Sequence, residues 1–173
     1  MTSYPADLQK VVDFHGHLCP GVLIGYRASL IALRELKTCP ASDEELVATV
    51  YTDSCAADAV QVMTGCTFGK GNLIFKDLGK VVFLFSKHGE AQTLRIALRF
   101  GALGKDADRT ILEKTIVDLP DDRLFQTSRL DAEPPRRARI YPTIRCSICG
   151  EGAMEPRVRV KDGKFVCLEC ADG

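Results

Sequence analysis

The chain has 173 residues, enough for one ordinary domain plus a small appendage and a sizeable hydrophobic core. Its 46% hydrophobic and 27% charged residues make a globular balance and exclude a disordered or fibrous chain. Lysine plus arginine equals aspartate plus glutamate at 23 each, so no global field draws it to nucleic acid or an anionic membrane.

In chain order, residues 5–14 read as a short helix opening at Pro5. A second helix is expected from Pro20 to about Lys37. There Val22, Leu23, Tyr26, Leu30 and Leu33 recur at helical spacing, with Arg27, Arg34 and Glu35 on the exposed side. Leu46–Thr52 reads as a strand, and Ala56–Thr64 as a helix closed by Gly65. Asn72–Lys76 and Val81–Ser86 flank a turn at Asp77–Gly79 and suggest a hairpin. Ala91–Phe100 fits a strand or a helix, Asp106–Asp118 looks helical, and a short helix follows Pro120. Helices and strands mix without a βαβ repeat, so the fold class is α+β.

At Asp131–Pro142 the composition shifts to three prolines and three arginines, an extended linker. The expected organisation is a core domain over 1–130, a linker over 131–142 and a four-cysteine module over 143–173. The N-terminus MTSYPADLQKVVDF lacks the basic and apolar regions of a signal peptide. The longest strongly apolar stretch, Val81–Phe85, is far too short to cross a bilayer. The expectation is therefore a soluble cytoplasmic protein with no membrane partner. In a reducing compartment its eight cysteines point to metal or redox chemistry rather than to disulfides.

The strongest chemical signal is Cys146-x-x-Cys149, seventeen residues, then Cys167-x-x-Cys170. Two such knuckles aim four thiolates at one ion, which is the spacing of a tetrahedral zinc site. Asp162–Gly163 between two short β-prone runs marks a hairpin, giving a zinc ribbon or treble clef. With four thiolates no coordination position stays open, so this zinc is structural and not catalytic. From Arg136 to Gly173 there are eight lysines and arginines against five acids. Four thiolates around one divalent ion subtract about two more charges, which leaves the module less basic than a dedicated nucleic-acid binder.

The second signal is Phe14-His15-Gly16-His17-Leu18-Cys19-Pro20-Gly21. With Pro20 as the first helical residue, Cys19 is the N-cap, where free backbone N–H groups and the helix dipole favour a thiolate. His17 and Cys19 alternate as in an extended strand and can point the same way. They form either half of a metal site or a nucleophile with its base. Cys55, in Asp53-Ser54-Cys55-Ala56-Ala57-Asp58, lies at another helix N-terminus. Cys66 sits in the glycine-rich stretch 64–72 and reads equally as core or site. That stretch is not a phosphate-binding loop, since glycine stands where a magnesium-binding hydroxyl is needed. Cys39 reads as a small buried hydrophobe, His88 as a turn residue and Asp58 as an exposed helix residue.

The segments FHGHLCPGVLIGYRA and DSCAADAVQVMTGCTFGKGNL, followed by a four-cysteine module, resemble the FmdE-like family, which takes its name from molybdenum formylmethanofuran dehydrogenase. The resemblance implies an α+β core that forms an intertwined homodimer and carries an auxiliary treble-clef finger. It also implies a shared cavity lined by the first two segments. The positions matching the family motif are His17, Cys19, Cys55 and Cys66, with His15 beside them.

Three functions follow in order. The first is a metal-binding accessory protein, with a second transition metal held in the core by His17, Cys19 and Cys55, and with His15 and Cys66 as further candidates. Thiolate plus imidazole suits zinc, iron, nickel or copper. The second is a regulator whose finger and arginine-rich linker contact nucleic acid or a protein partner. The third is a thiol enzyme with Cys19 as nucleophile and His17 as base, for which the sequence offers no third, orienting residue.

Overall fold

The computed structural model describes residues 4–104 and 108–173. The chain divides into two compact units, 1–137 and 138–173, and the division falls inside the proline- and arginine-rich segment. Among the described residues no helix is long and apolar enough to cross a membrane.

The first unit opens with α1 (Ala6–His15) and α2 (Pro20–Glu35), then β1 (Leu46–Val50) and α3 (Ala56–Thr64). It continues through β2 (Leu73–Phe75), β3 (Val82–Lys87), β4 (Gln92–Leu98), α4 (Arg109–Asp118), α5 (Asp121–Leu124) and β5 (Phe125–Asp131). The five strands form one sheet in the order β2-β1-β3-β4-β5, parallel between β1 and β2 and antiparallel elsewhere. This is the α+β class read from the sequence. Leu46, Phe83, Phe85, Ile96 and Phe125 of the sheet and Val22 and Ile31 of α2 are almost fully buried in one core. Each such side chain contributes about 1.5–3 kcal/mol by leaving water.

Four expectations are corrected. β2 and β3 do not make a hairpin with each other, because β1 lies between them. All five residues of β1 are buried, so the run needs a neighbour on both edges. The connection 76–81 carries the chain across its end, where the Lys76 amide donates to Val50 O and the Lys80 amide to Tyr51 O. Arg27 is not an exposed residue. Its guanidinium donates to the carbonyls of Ile116 (2.5 Å) and Leu119 (2.6 Å) and pairs with Asp121, so it closes the C-terminal end of α4. Leu30, assigned to the apolar stripe of α2, is 38% exposed. Cys39 is exposed, because α2 stops at Glu35, Lys37 turns to φ 47°, and the residues that follow are irregular.

The ambiguous stretch 91–100 is strand β4, and β5 was not anticipated. The predicted helix start at Asp106 lies outside the described residues. α4 itself begins after Asp108, whose carboxylate accepts from the Ile111 amide at 2.9 Å.

The second unit holds β6 (Thr143–Arg145), β7 (Gly152–Met154), a 3₁₀ turn, β8 (Val158–Lys161), β9 (Lys164–Cys167) and α6 (Leu168–Asp172). β8 and β9 form the expected hairpin. Asp162 at φ 51° and Gly163 at φ 71° supply the two left-handed residues of its tight turn.

Candidate metal centres in the core and the finger

In the second unit, the sulfurs of Cys146, Cys149, Cys167 and Cys170 all lie within 4.8 Å of one another. Four thiolates about 2.3 Å from a zinc ion sit about 3.8 Å apart. Cys149 Sγ and Cys167 Sγ are 3.9 Å apart. The amides of Ile148 and Cys167 donate to Cys146 Sγ at 3.4 and 3.3 Å, as in a metal knuckle. Backbone N–H groups, that of Cys167 foremost, hold the pKa of the Cys146 thiol down to about 6. The neighbouring Cys167 sulfur, then burial and the sulfurs of Cys149 and Cys146, push Cys170 up to about 12. Such a cluster cannot hold four negative charges unless a cation joins it, so the donor set fits zinc.

In the first unit, local geometry gathers a different set. α1 ends at His15, Gly16 takes φ 93°, and its amide closes the helix on Val12 O at 2.8 Å. Beyond it, Cys19 is extended, at φ −152° and ψ 165°, and N-caps α2 by accepting from the Val22 amide at 3.4 Å. A helix end and a helix start thus meet across a short turn. One ligand atom from each of His15, His17 and Cys19 comes within 4.8 Å of the others. The two imidazoles lie 4.7 Å apart between ring centres. Cys19 is buried, His15 half-buried and His17 exposed, so the cluster is open on the His17 side. Arg109 donates to the Leu18 carbonyl and holds the segment from α4.

Cys55 reaches Cys19 because α2 and α3 touch along glycines. A Cβ on Gly25 would lie 2.2 Å from Ala56 O, and one on Gly21 would lie 3.0 Å from Cys55 Cβ. Burial, then the adjacent Cys19 sulfur and the Asp58 charge, raises the Cys55 thiol above its ordinary value. Among the described residues, Cys55 and Cys66 fall outside the three-donor group. Cys66 is fully buried, and its thiol donates to Leu46 O at 3.3 Å. The glycine-rich stretch around it is organised by Asn72, which binds the Thr67 amide and the carbonyls of Asp43 and Leu46.

Two features escaped the reading of the sequence. The imidazole beside the Cys19 sulfur is that of His15, at 4.0 Å from Nε2. Its Nδ1 is 2.8 Å from Oδ2 of Asp58, which is not a free surface acid. The contact spans 43 residues, so no local signal could find it. The close approach of α2 and α3 was likewise not read from the sequence, although the spacing Gly21-x-x-x-Gly25 puts two side-chain-free positions on one helix face.

A cleft of about 690 Å³ lies between α1, α2 and α4, with walls that include Leu8, Leu18, Leu23, Leu30 and Val117. Tyr26 also lines it and donates its hydroxyl to Asp7 at 3.0 Å. Burial and that carboxylate push the tyrosine up to about 12.

Comparison with known proteins agrees with this division. Residues 139–173 match the prokaryotic dksA/traR C4-type zinc finger. A relative from Archaeoglobus fulgidus, described as a probable S-adenosyl-L-methionine-binding protein, is 33% identical over 195 aligned positions. The alignment covers 95% of this chain and 52% of the relative, so the chain spans about half that protein's length. A crystal structure from Syntrophus aciditrophicus, of an FmdE-like protein named for tungsten formylmethanofuran dehydrogenase, shares the fold. Its TM-score is 0.69 at 21% identity, covering 95% of this chain and 89% of that one. Residues 14–134 match the family model described as FmdE, molybdenum formylmethanofuran dehydrogenase operon, and the chain belongs to that FmdE family, with a C4-type zinc finger following the FmdE domain.

Proposed function

We propose that this chain is a metal-binding accessory protein whose working site is the His15–His17–Cys19 cluster of the core. The observation that carries the reading is the gathering of one thiol and two imidazoles within 4.8 Å at a helix start, open toward solvent. His15, His17 and Cys19 would hold the ion, with the Cys55 thiol at the edge of the site. A thiolate–imidazole set suits a borderline or soft transition metal. Such an ion, once bound, would supply Lewis acidity. The chain's own residues exclude water on the Cys19 side and leave access beside His17. The finger's zinc serves structure alone. The enzyme whose operon names the family is the first partner this reading assigns.

Elemental analysis of untagged protein prepared without chelator tests the reading. The expected result is two metal ions per chain, with the second lost in Cys19→Ala and the first retained. One zinc and nothing more after metal supplementation would sink it.

A second reading rests on the cleft. Its apolar walls and its volume of about 690 Å³ accommodate a nucleoside-sized molecule, and the Archaeoglobus relative is described as binding S-adenosyl-L-methionine. Equilibrium dialysis of the full chain with that compound is expected to show binding that Leu30→Trp, which fills the cleft, abolishes. Equal binding by the variant would place the ligand elsewhere.

A further inference from the structure

We infer that Asp58 is the positioning residue of the core site: it fixes the tautomer of His15 so that Nε2, and not Nδ1, faces the metal position beside Cys19. This rests on the metal reading proposed above.

His15 is the last residue of α1 and Asp58 lies in the first turn of α3. Their contact is short, at 2.8 Å, and it engages one ring nitrogen specifically. A neutral imidazole carries one proton. A carboxylate can only accept, so Nδ1 must be the N–H that donates to Oδ2. The lone pair is then on Nε2, the atom 4.0 Å from the Cys19 sulfur. A ligand histidine held in this way by a carboxylate has a fixed ring orientation and is a stronger donor.

The helix dipole would by itself explain an acid in the first turn of α3. It does not explain why that acid meets an imidazole from another helix. The His15 side chain is only 12% exposed whereas that of Asp58 is 45% exposed, so the acid reaches inward from the rim.

The test uses the full chain with its finger first filled by one equivalent of zinc, then titrated with Co²⁺ and followed by the thiolate-to-cobalt absorption. Asp58→Ala is expected to weaken core cobalt binding by about 10–100-fold while the finger keeps its zinc. Asp58→Asn keeps an acceptor oxygen and should recover part of that loss. Long-range ¹H–¹⁵N spectra of the metal-free wild type should show His15 with its proton on Nδ1, and Asp58→Ala should release the ring to a mixture. Cobalt binding unchanged in Asp58→Ala, or an Nε2–H tautomer in the wild type, overturns this inference alone. No cobalt uptake by the wild-type core overturns the metal reading together with it.

Discussion

Removing zinc is expected to unfold residues 138–173 and to leave the first unit folded. The second unit has 36 residues, and its strands are three or four residues long. Among its described residues only Cys146 and Val166 are buried, and Cys146 is itself a ligand. Two side chains cannot offset the ordering entropy of 36 residues at about 1–2 kcal/mol each for the backbone alone. Where a metal site does not exist in the unfolded chain, the free energy of zinc binding is folding free energy, so the unit folds with its ion and not without it. Hydrogen exchange after chelation should show rapid exchange throughout 138–173 and continued protection in β1, β3 and β4. Cys149→Ser should reproduce the effect without chelator, and Cys39→Ser should not, since Cys39 is exposed and outside both clusters. Protection of β8 and β9 that survives full metal removal would show a unit held by its own packing.

Gly25→Ala is expected to destabilise the core unit strongly. The new Cβ would stand 2.2 Å from Ala56 O and 2.8 Å from Ala56 Cα, and both are backbone atoms of the first turn of α3. No rotamer relieves such a clash, so α2 and α3 must separate. Overpacking of this kind costs about 1–3 kcal/mol where side chains can give, and more where backbone must move. We expect a loss on the order of 3 kcal/mol in denaturant unfolding. The separation should also pull Cys55 away from Cys19. Gly69→Ala, with nothing within 4 Å of its added Cβ, is the control and should change stability little. Equal stabilities of the two variants would mean that the helices do not touch at Gly25.

The features legible in the sequence were those whose physics is local. Pro20 after Cys19 announced a helix start because proline at the first turn loses no hydrogen bond, and α2 begins there. Gly65 announced the end of α3 because only glycine enters the left-handed region at no cost, and it has φ 69°. The two knuckles announced their own site, since four ligands within 25 residues need little tertiary help.

Features that depended on distant partners were misread. Arg27 looked like a surface residue because the carbonyls it closes on lie about 90 residues further along the chain. The segments flanking Asp77–Gly79 looked like a hairpin because a turn signal cannot reveal that a third strand stands between the arms.

The core site divides along the same line. His17 and Cys19 were visible as candidates from composition and helix-start geometry, and the structure brings them together with His15. Which imidazole faces the sulfur, that Asp58 holds it, that Cys55 lies beside it and that Cys66 does not were decided by the packing of α1 and α2 on α3. The sequence by itself determined the zinc finger, the α+β class and the helix termini at His15 and Cys19, because caps, turns and knuckles act over a few residues. Only the tertiary structure decided the strand order and which side chains gather around Cys19. Those depend on which faces bury one another, and burial is a property of the whole chain.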